Sequence, residues 1–498
     1  MSSWLSPKEM EQVAPADIAG FRSPVPTQIV SNGEYNPLPQ TAKQRQVQAR
    51  LVELADTYRK KMKLGRREFL KTASGMAAAF LAMNQVYGPV FAVNEAEAAD
   101  PDAAAERAAK LSRQLIFDDQ VHFVRDDYKH PTILDLGKFA AKHWNPKMLK
   151  DQGIELGRYK FENFLKEIFL DSDTKVGLLS GAPFDDPKMW LLSNDQMART
   201  RELINRIAGS RRLLCHAIFT PGTDGWMDAV DHAIDELKPD SWKGYTVGDP
   251  LAPSKFPWRL DDEKLVYPFY EKIRKAGIKT VCIHKGLLPN DYEKSYKGIW
   301  KYATVEDLPK AAKDWPDLNF VIYHSALRPF IELPDPEAAE FEKSGYIRWV
   351  SDLAAIPKRH GVKNVYGEIG TAFANTVVTN PRLAAGLLGT LIKGMGANHV
   401  IWGTDSVWYG SPQWQIEALR RLEIPEDLQK KHGFAALGPA DGSIKNAIFW
   451  DNGAKFYKLK KGANYGPLKR DTIDKMKEEY KETRIGRSNA AYGYIGLS

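Results

Sequence analysis

The residues able to do chemistry in this chain fall at the ends of short apolar runs. Gln120 and His122 lie in FDDQVHFV, His284 closes TVCIH, His324 follows NFVIY, Glu368 closes NVYGE, and Asp405 follows HVIWGT. Neutral imidazoles with one carboxylate suit zinc or a similar divalent ion, with an open position for water. Such an ion would lower the pKa of that water or polarise a substrate oxygen. Asp405 also suits a general base toward the water. Each residue has a plainer reading beside this one. A lone histidine is often a core residue satisfied by a carbonyl, and an acid after Gly-Thr can cap a helix. Gln120 can simply bond across the fold, and Asp118 reads as structural.

Further candidates surround these. Arg328, in SALRPF, has the fork to hold a substrate carboxylate through two parallel bonds, with an ion pair as the alternative. Lys285 either pairs with a carboxylate of the chain or binds an acidic substrate. Trp408 and Tyr409 follow Asp405 and either line a pocket wall or pack. Cys282 shares a strand face with His284 and reads as core. Cys215 lies in a different predicted strand, which speaks against a disulfide.

The elements that must position these groups are legible in the pattern. From about residue 111, β-rich apolar runs alternate with helical segments such as DAVDHAIDEL and YPFYEKIRKAG. The runs are RQLIFDDQVHFV, KVGLLSG, RLLCHAIFTP, WKGYTV, IKTVCIHKG, NFVIYHSA, NVYGEIG and HVIWGTD. Eight β units with helical crossovers predict an α/β fold, a (β/α)8 TIM-like barrel. Glycines at 277, 361 and 396 stop helices just before the next strand. Long stretches after the first strand (125–174) and the third (220–242) read as insertions that cap a pocket. In a barrel the C-terminal strand ends converge on one mouth. The polar residues of FDDQVHFV therefore face that mouth, with Gln120 and His122 on one face, two residues apart.

The arrangement resembles the amidohydrolase superfamily, in the amidohydrolase-related branch that holds hydrolases and decarboxylases of aromatic and unsaturated acids. The resemblance rests on Asp118-x-Gln120-x-His122, IHKG with His284, IYHSA with His324, WGTDS with Asp405, and the closing KNAIFWDNGAKFYKL. It implies that Gln120, His122, His284 and Asp405 hold one divalent metal, zinc first and manganese second. It implies that His324 handles protons or polarises the substrate. The departure is Gln120, where that branch carries His or Glu. The implied activity is hydrolysis of a small ester, lactone or amide by metal-activated water. The alternative is decarboxylation at the same site, with Arg328 on a carboxylate. A third expectation, motivated by Gln120 alone, is a barrel that binds a ligand without turnover.

The bulk numbers fit an enzyme. The chain has 498 residues, 43% of them hydrophobic, and a formal charge of +7. Its basic residues form no stripe with aromatics, so nucleic acid is not an expected partner. GRREFLK followed by ASGMAAAFLAMNQVYGPVFA and Ala96-Glu97-Ala98 resembles a twin-arginine export signal. That resemblance implies an exported protein, periplasmic or secreted, which engages the export machinery. The apolar run is too short to span a bilayer. The expected organisation is a leader extension (1–64), a signal segment (65–98), a linker (99–110), the barrel (111–460) and a C-terminal tail (461–498). The sequence leaves oligomeric state open, although barrels of this kind commonly pair as homodimers.

Overall fold

The computed structural model describes residues 23–27, 41–128, 159–249, 252–289, 291–329, 335–459 and 471–482. Eight parallel strands follow one another in chain order: β1 (Phe117–Val121), β2 (Val176–Leu179), β3 (Leu213–Ile218), β4 (Ser241–Tyr245), β5 (Thr280–His284), β6 (Asn319–Tyr323), β7 (Val365–Glu368) and β8 (Val400–Ile401). Each pairs with the next in parallel register. The ring closes beyond the short β8. The Asp119 amide donates to Trp402 O at 3.0 Å, the Asp405 amide to Gln120 O at 3.0 Å, and the His122 amide to Ser406 O at 2.6 Å. This is the expected α/β barrel.

Alternation along the strands sorts the side chains. Trp242, Ile283 and Ile322 belong to the large core shared with the surrounding helices. Phe117, Leu178 and Leu214 instead cluster with Tyr457, and Cys282, Val321 and Tyr366 with Phe456, closing one end of the barrel with aromatic rings. These rings come from KNAIFWDNGAKFYKL, whose Asn452 donates to Ala397 O at 2.7 Å and Val400 O at 2.8 Å. Both cysteines are free and buried. One irregularity bears on the site. From Asp118 to Val121, β1 takes three steps while β2 takes two, from Gly177 to Leu179. The extra residue is a bulge, which re-aims the side chains beside it.

Two of the crossover helices end as the glycines foretold, with left-handed caps at Gly277 (φ 76°) and Gly361 (φ 69°). Gly396 stops its helix in another conformation, at φ 92° and ψ 149°. Of the two expected insertions, much of the first (129–158) lies outside the described residues. The second holds an ordinary crossover helix, Trp226–His232. In the tail, helix Thr472–Glu482 is bound to the barrel by Arg212, which meets Asp471 at 2.6 Å and Asp474 at 2.8 Å. The remaining tail residues lie outside the described set.

Where they are described, the residues expected to form the leader extension, the signal segment and the linker make a layer of the fold. It comprises α1 (Ala42–Lys61), α2 (Arg66–Leu70), α3 (Ala73–Tyr87), α4 (Glu95–Ala99) and α5 (Pro101–Leu111). α3 is the apolar run after the paired arginines, and Ala77, Phe80, Ala82 and Met83 on it are buried. A β-carbon at Gly75 would lie 2.4 Å from Phe69 O, so only glycine lets α3 approach α2 so closely. The layer docks on helix α6 (Gln413–Arg421). Arg421 pairs with Glu97 at 2.7 Å, Arg107 with Glu417 at 2.9 Å, and the Ala92 amide donates to Arg421 O at 2.6 Å. Arg66 pairs with Asp56 at 2.5 Å. No helix among the described residues is long and apolar enough to cross a membrane.

Because α3 buries its apolar side chains among the other helices of the layer, with Phe80 also under Arg421, Phe80→Ala is expected to cost about 3–5 kcal/mol in chemical denaturation. A chain beginning at Ala99 is expected to lose cooperative unfolding. An unchanged midpoint in that shortened chain would show the layer to be dispensable.

Candidate active site

The mouth of the barrel is assembled at the ends of β1 and β5 to β8. The β1 bulge lets Asp119 face the interior while Gln120 and His122 turn toward Asp405. Asp118 goes elsewhere. It accepts from the Thr404 amide at 2.9 Å, the Thr404 hydroxyl at 2.5 Å and the Gln120 amide at 3.2 Å. This is the structural role expected of it, and burial raises its carboxyl to about 7.

Gln120, His122 and Asp405 form a tight triangle. His122 Nε2 is 3.0 Å from Asp405 Oδ1, and Gln120 Nε2 is 2.8 Å from that oxygen and 3.2 Å from His122 Nε2. Thr371 donates to the other carboxylate oxygen and sits 2.9 Å from the Tyr409 hydroxyl. Burial by itself would raise the Asp405 carboxyl, but His122, His324 and Thr371 outweigh it and hold the group below its usual value. Trp408 stacks on the His122 ring at 5.6 Å between centroids and forms a wall of the mouth.

His284 and His324 form a second pair, with His324 Nε2 3.1 Å from His284 Nδ1. His324 Nδ1 lies 2.9 Å from Gly370 O, a pure acceptor, so that nitrogen carries the proton. Neutral His324 then accepts at Nε2 from His284 Nδ1–H, which leaves His284 Nε2 as a bare acceptor. That atom is buried and has no hydrogen-bond partner. Burial drives both imidazoles down, His324 to about 4. Tyr245 stacks on His284 at 4.4 Å.

Glu368 joins the two pairs. Its Oε2 accepts from the His324 amide at 3.0 Å and its Oε1 from the Gly370 amide at 2.5 Å. Burial pushes this carboxyl well above the usual carboxylate range, against the two backbone amides that draw it down. A β-carbon at Gly403 would lie 1.9 Å from Glu368 Oε1, and one at Gly370 would lie 2.5 Å from it and 2.8 Å from Gln120 Oε1. Two glycines thus make the room in which these oxygens approach. The backbone around the mouth is strained. Leu287, His324, Ser325, Ala326, Thr371 and Asp405 all have φ between 48° and 61°, in the left-handed region that costs non-glycine residues energy.

Two candidates take other roles. Arg328 is buried and gives its guanidinium to Glu293 at 2.7 and 2.5 Å and to the carbonyls of Leu288 and Pro289. Lys285 is buried against Asp307 and Tyr302 O, both at 2.9 Å. Both cations are committed to loop structure, which corrects the expectation that they bind substrate. The expected metal set is also not assembled. Gln120, His122 and Asp405 meet, but His284 turns to His324. No three His, Cys, Asp or Glu side chains among the described residues are placed to hold one ion. Gln120 offers its hydrogen-bearing nitrogen to the triangle, whereas a metal needs lone pairs. As the side chains stand, the donors do not fit a divalent ion.

The strand-end reading missed one layer deeper in the barrel. His216 on β3 lies 2.9 Å from the Tyr323 hydroxyl and 2.8 Å from the Ser241 hydroxyl, and Tyr323 donates to Asp119 O at 2.6 Å. Lys243 on β4 is buried with its ammonium 3.3 Å from the centre of the Tyr323 ring. The available signal was a lysine in the middle of an apolar run, WKGYTV, where lysine is rarely buried.

Comparison with known proteins places part of this architecture. Residues 227–459 match the amidohydrolase family model. The amidohydrolase stretch holds His284, His324, Glu368 and Asp405, begins after Gln120 and His122, and spans under half of the chain. No curated protein matches the sequence. Among solved structures, an uncharacterised TIM-barrel protein from Bordetella bronchiseptica is 14% identical with a TM-score of 0.45, covering 69% of this chain and 98% of that one. 5-Carboxyvanillate decarboxylase from Sphingomonas paucimobilis is 14% identical with a TM-score of 0.40, covering 69% and 99%. Dihydroxybenzoic acid decarboxylase from Polaromonas sp. JS666, with bound manganese, is 14% identical with a TM-score of 0.40, covering 70% and 97%. None of these scores reaches 0.5, and the barrel assignment stands on the strand order itself.

The buried acids set a pH dependence. Burial raises the Asp119 carboxyl to about 8. The folded state therefore prefers the protonated acid, and stability falls as pH rises from the unfolded value of about 4 toward 8. Asp119→Asn is expected to remove that loss, gaining on the order of a few kcal/mol at pH 8 relative to pH 4. Equal slopes for both proteins in denaturation series across this range would refute the assignment.

Proposed function

We propose that this chain is an amidohydrolase-superfamily enzyme that acts on a small organic acid, and that its reaction is decarboxylation of an aromatic or unsaturated carboxylic acid. The carrying observation is a pair of carboxyls pushed apart by their surroundings: Asp405 is held below its usual range while Glu368 is pushed well above it. Such a split marks a base and an acid in one site. In decarboxylation the bond to the carboxyl carbon breaks, its electron pair stays on the substrate carbon, and that carbon takes a proton. Glu368, whose carboxyl is pushed up by burial, is the group that gives that carbon its proton. Asp405 takes a proton from an acidic group of the substrate, with Thr371 and His122 steadying the charge. Trp408 and Tyr245 offer flat walls to a planar substrate.

Hydrolysis of an ester, lactone or amide is the second reading. It is favoured by the amidohydrolase match and by the ionised Asp405, a base for an attacking water. The expectation of zinc or manganese belongs to either reading. The side-chain arrangement does not supply its ligand set, and no step above runs through an ion. The periplasmic location suggested by Arg66-Arg67 requires, with this fold, that residues 73–99 remain on the exported protein.

The test is a screen of aromatic and enoic acids for carbon dioxide release, beside esters and lactones for hydrolysis, with elemental analysis of the same protein. Asp405→Asn is expected to lower kcat by about 100-fold or more. Turnover of esters but not acids would move the assignment to hydrolysis. Binding without any turnover would leave a ligand-binding barrel.

A further inference from the structure

Among the described residues, four lysine or arginine side chains are 0% exposed. Lys285 has Asp307, and Arg328 has Glu293. Lys445 has Glu423 at 3.2 Å and Arg420 O at 2.9 Å. The fourth is Lys243. It is fully buried, and its ammonium has no hydrogen-bond partner. Among the described residues no carboxylate lies within ion-pair distance of it. What it touches is the face of Tyr323 at 3.3 Å and, at 5.2 Å, the ring of Tyr245.

A buried ammonium is costly without an anion, and aromatic faces return only part of that cost. The other three cations show that this chain provides partners where a cation is merely structural. Lys243 differs in position as well. The register sets it beside Cys282 on β5 and sets Tyr245 beside His284, so it lies one layer below the mouth. Glu368, Asp405 and Asp119 are near enough to act on its charge. None of the three lies within ion-pair distance of its ammonium, which has no hydrogen-bond partner.

We propose that Lys243 is the anchor for the substrate's carboxylate, the anion that the fold itself does not provide. This rests on the reading of the site as one for a small organic acid, and it replaces Arg328 in that role. The flat faces of Tyr245 and Tyr323 flank the ammonium and suit an acid with a planar body. The role is binding and positioning. An ammonium on a carboxylate stabilises the bound acid and not the loss of carbon dioxide, so its removal acts on KM before kcat.

The experiment is titration of full-length protein with benzoate and with uncharged benzamide, followed by calorimetry. Wild type, Lys243→Met and Lys243→Arg are compared, and thermal unfolding checks that each is folded. The wild type is expected to bind benzoate more tightly than benzamide. Lys243→Met is expected to weaken benzoate by about tenfold or more while leaving benzamide unchanged. Lys243→Arg, which keeps the charge, is expected to retain part of the preference. Burial draws the Lys243 ammonium down to about 8. Benzoate affinity of the wild type should therefore fall as pH passes upward through that region, with no such step in Lys243→Met. Equal benzoate binding by wild type and a folded Lys243→Met overturns the anchor and leaves the organic-acid reading intact. A wild type that binds neither compound overturns both.

Discussion

The site depends on the seam where β1 meets the chain after β8. Barrel closure is made there by three backbone hydrogen bonds, from Asp119, His122 and Asp405. The side-chain bond from Gln120 to Asp405 lies across the same seam. The residues that close the ring are thus those that set Asp405 beside His122. A barrel strand normally spends its ladder on stability and its end on chemistry. Here β8 has only two ladder residues, and the polar turn after it does both.

Strain is concentrated at the same level. Positive φ values follow β5 at Leu287, β6 at His324 to Ala326, β7 at Thr371 and β8 at Asp405. Left-handed backbone at non-glycine residues persists only where the surroundings over-determine it. Those surroundings are identifiable. Glu368 accepts the His324 amide, and the Ser325 hydroxyl donates to Glu368 O at 2.8 Å. The buried acid thus holds the strained turn, so Glu368 and the backbone geometry of the mouth cannot be altered separately.

Much of this was legible in the sequence, for a physical reason. An apolar β run that stops at a polar residue marks a strand end, which is why His284, His324, Glu368 and Asp405 stood out. The bulge in β1 was not legible. A strict period of two joins Asp118, Gln120 and His122, whereas the structure separates Asp118 from the other two. Lys243 was passed over because it lies within its run and not at its end. Arg328 looked available because its partner Glu293 is 35 residues away along the chain. The apolar run after Arg66-Arg67 has the composition of a leader and of a buried helix alike. Only the distant partner, residues 413–421, distinguishes them.

That partner has a consequence for synthesis. Glu97 meets Arg421 across 324 residues of sequence, and Arg107 meets Glu417 across 310. At about 5–20 residues per second, tens of seconds separate the emergence of α3 from that of the surface that will cover it. Throughout that interval α3 can pack on α1, α2, α4 and α5 but not on the helix that carries Arg421. The face of the layer that meets residues 413–421 is therefore among the last surfaces of the fold to be covered.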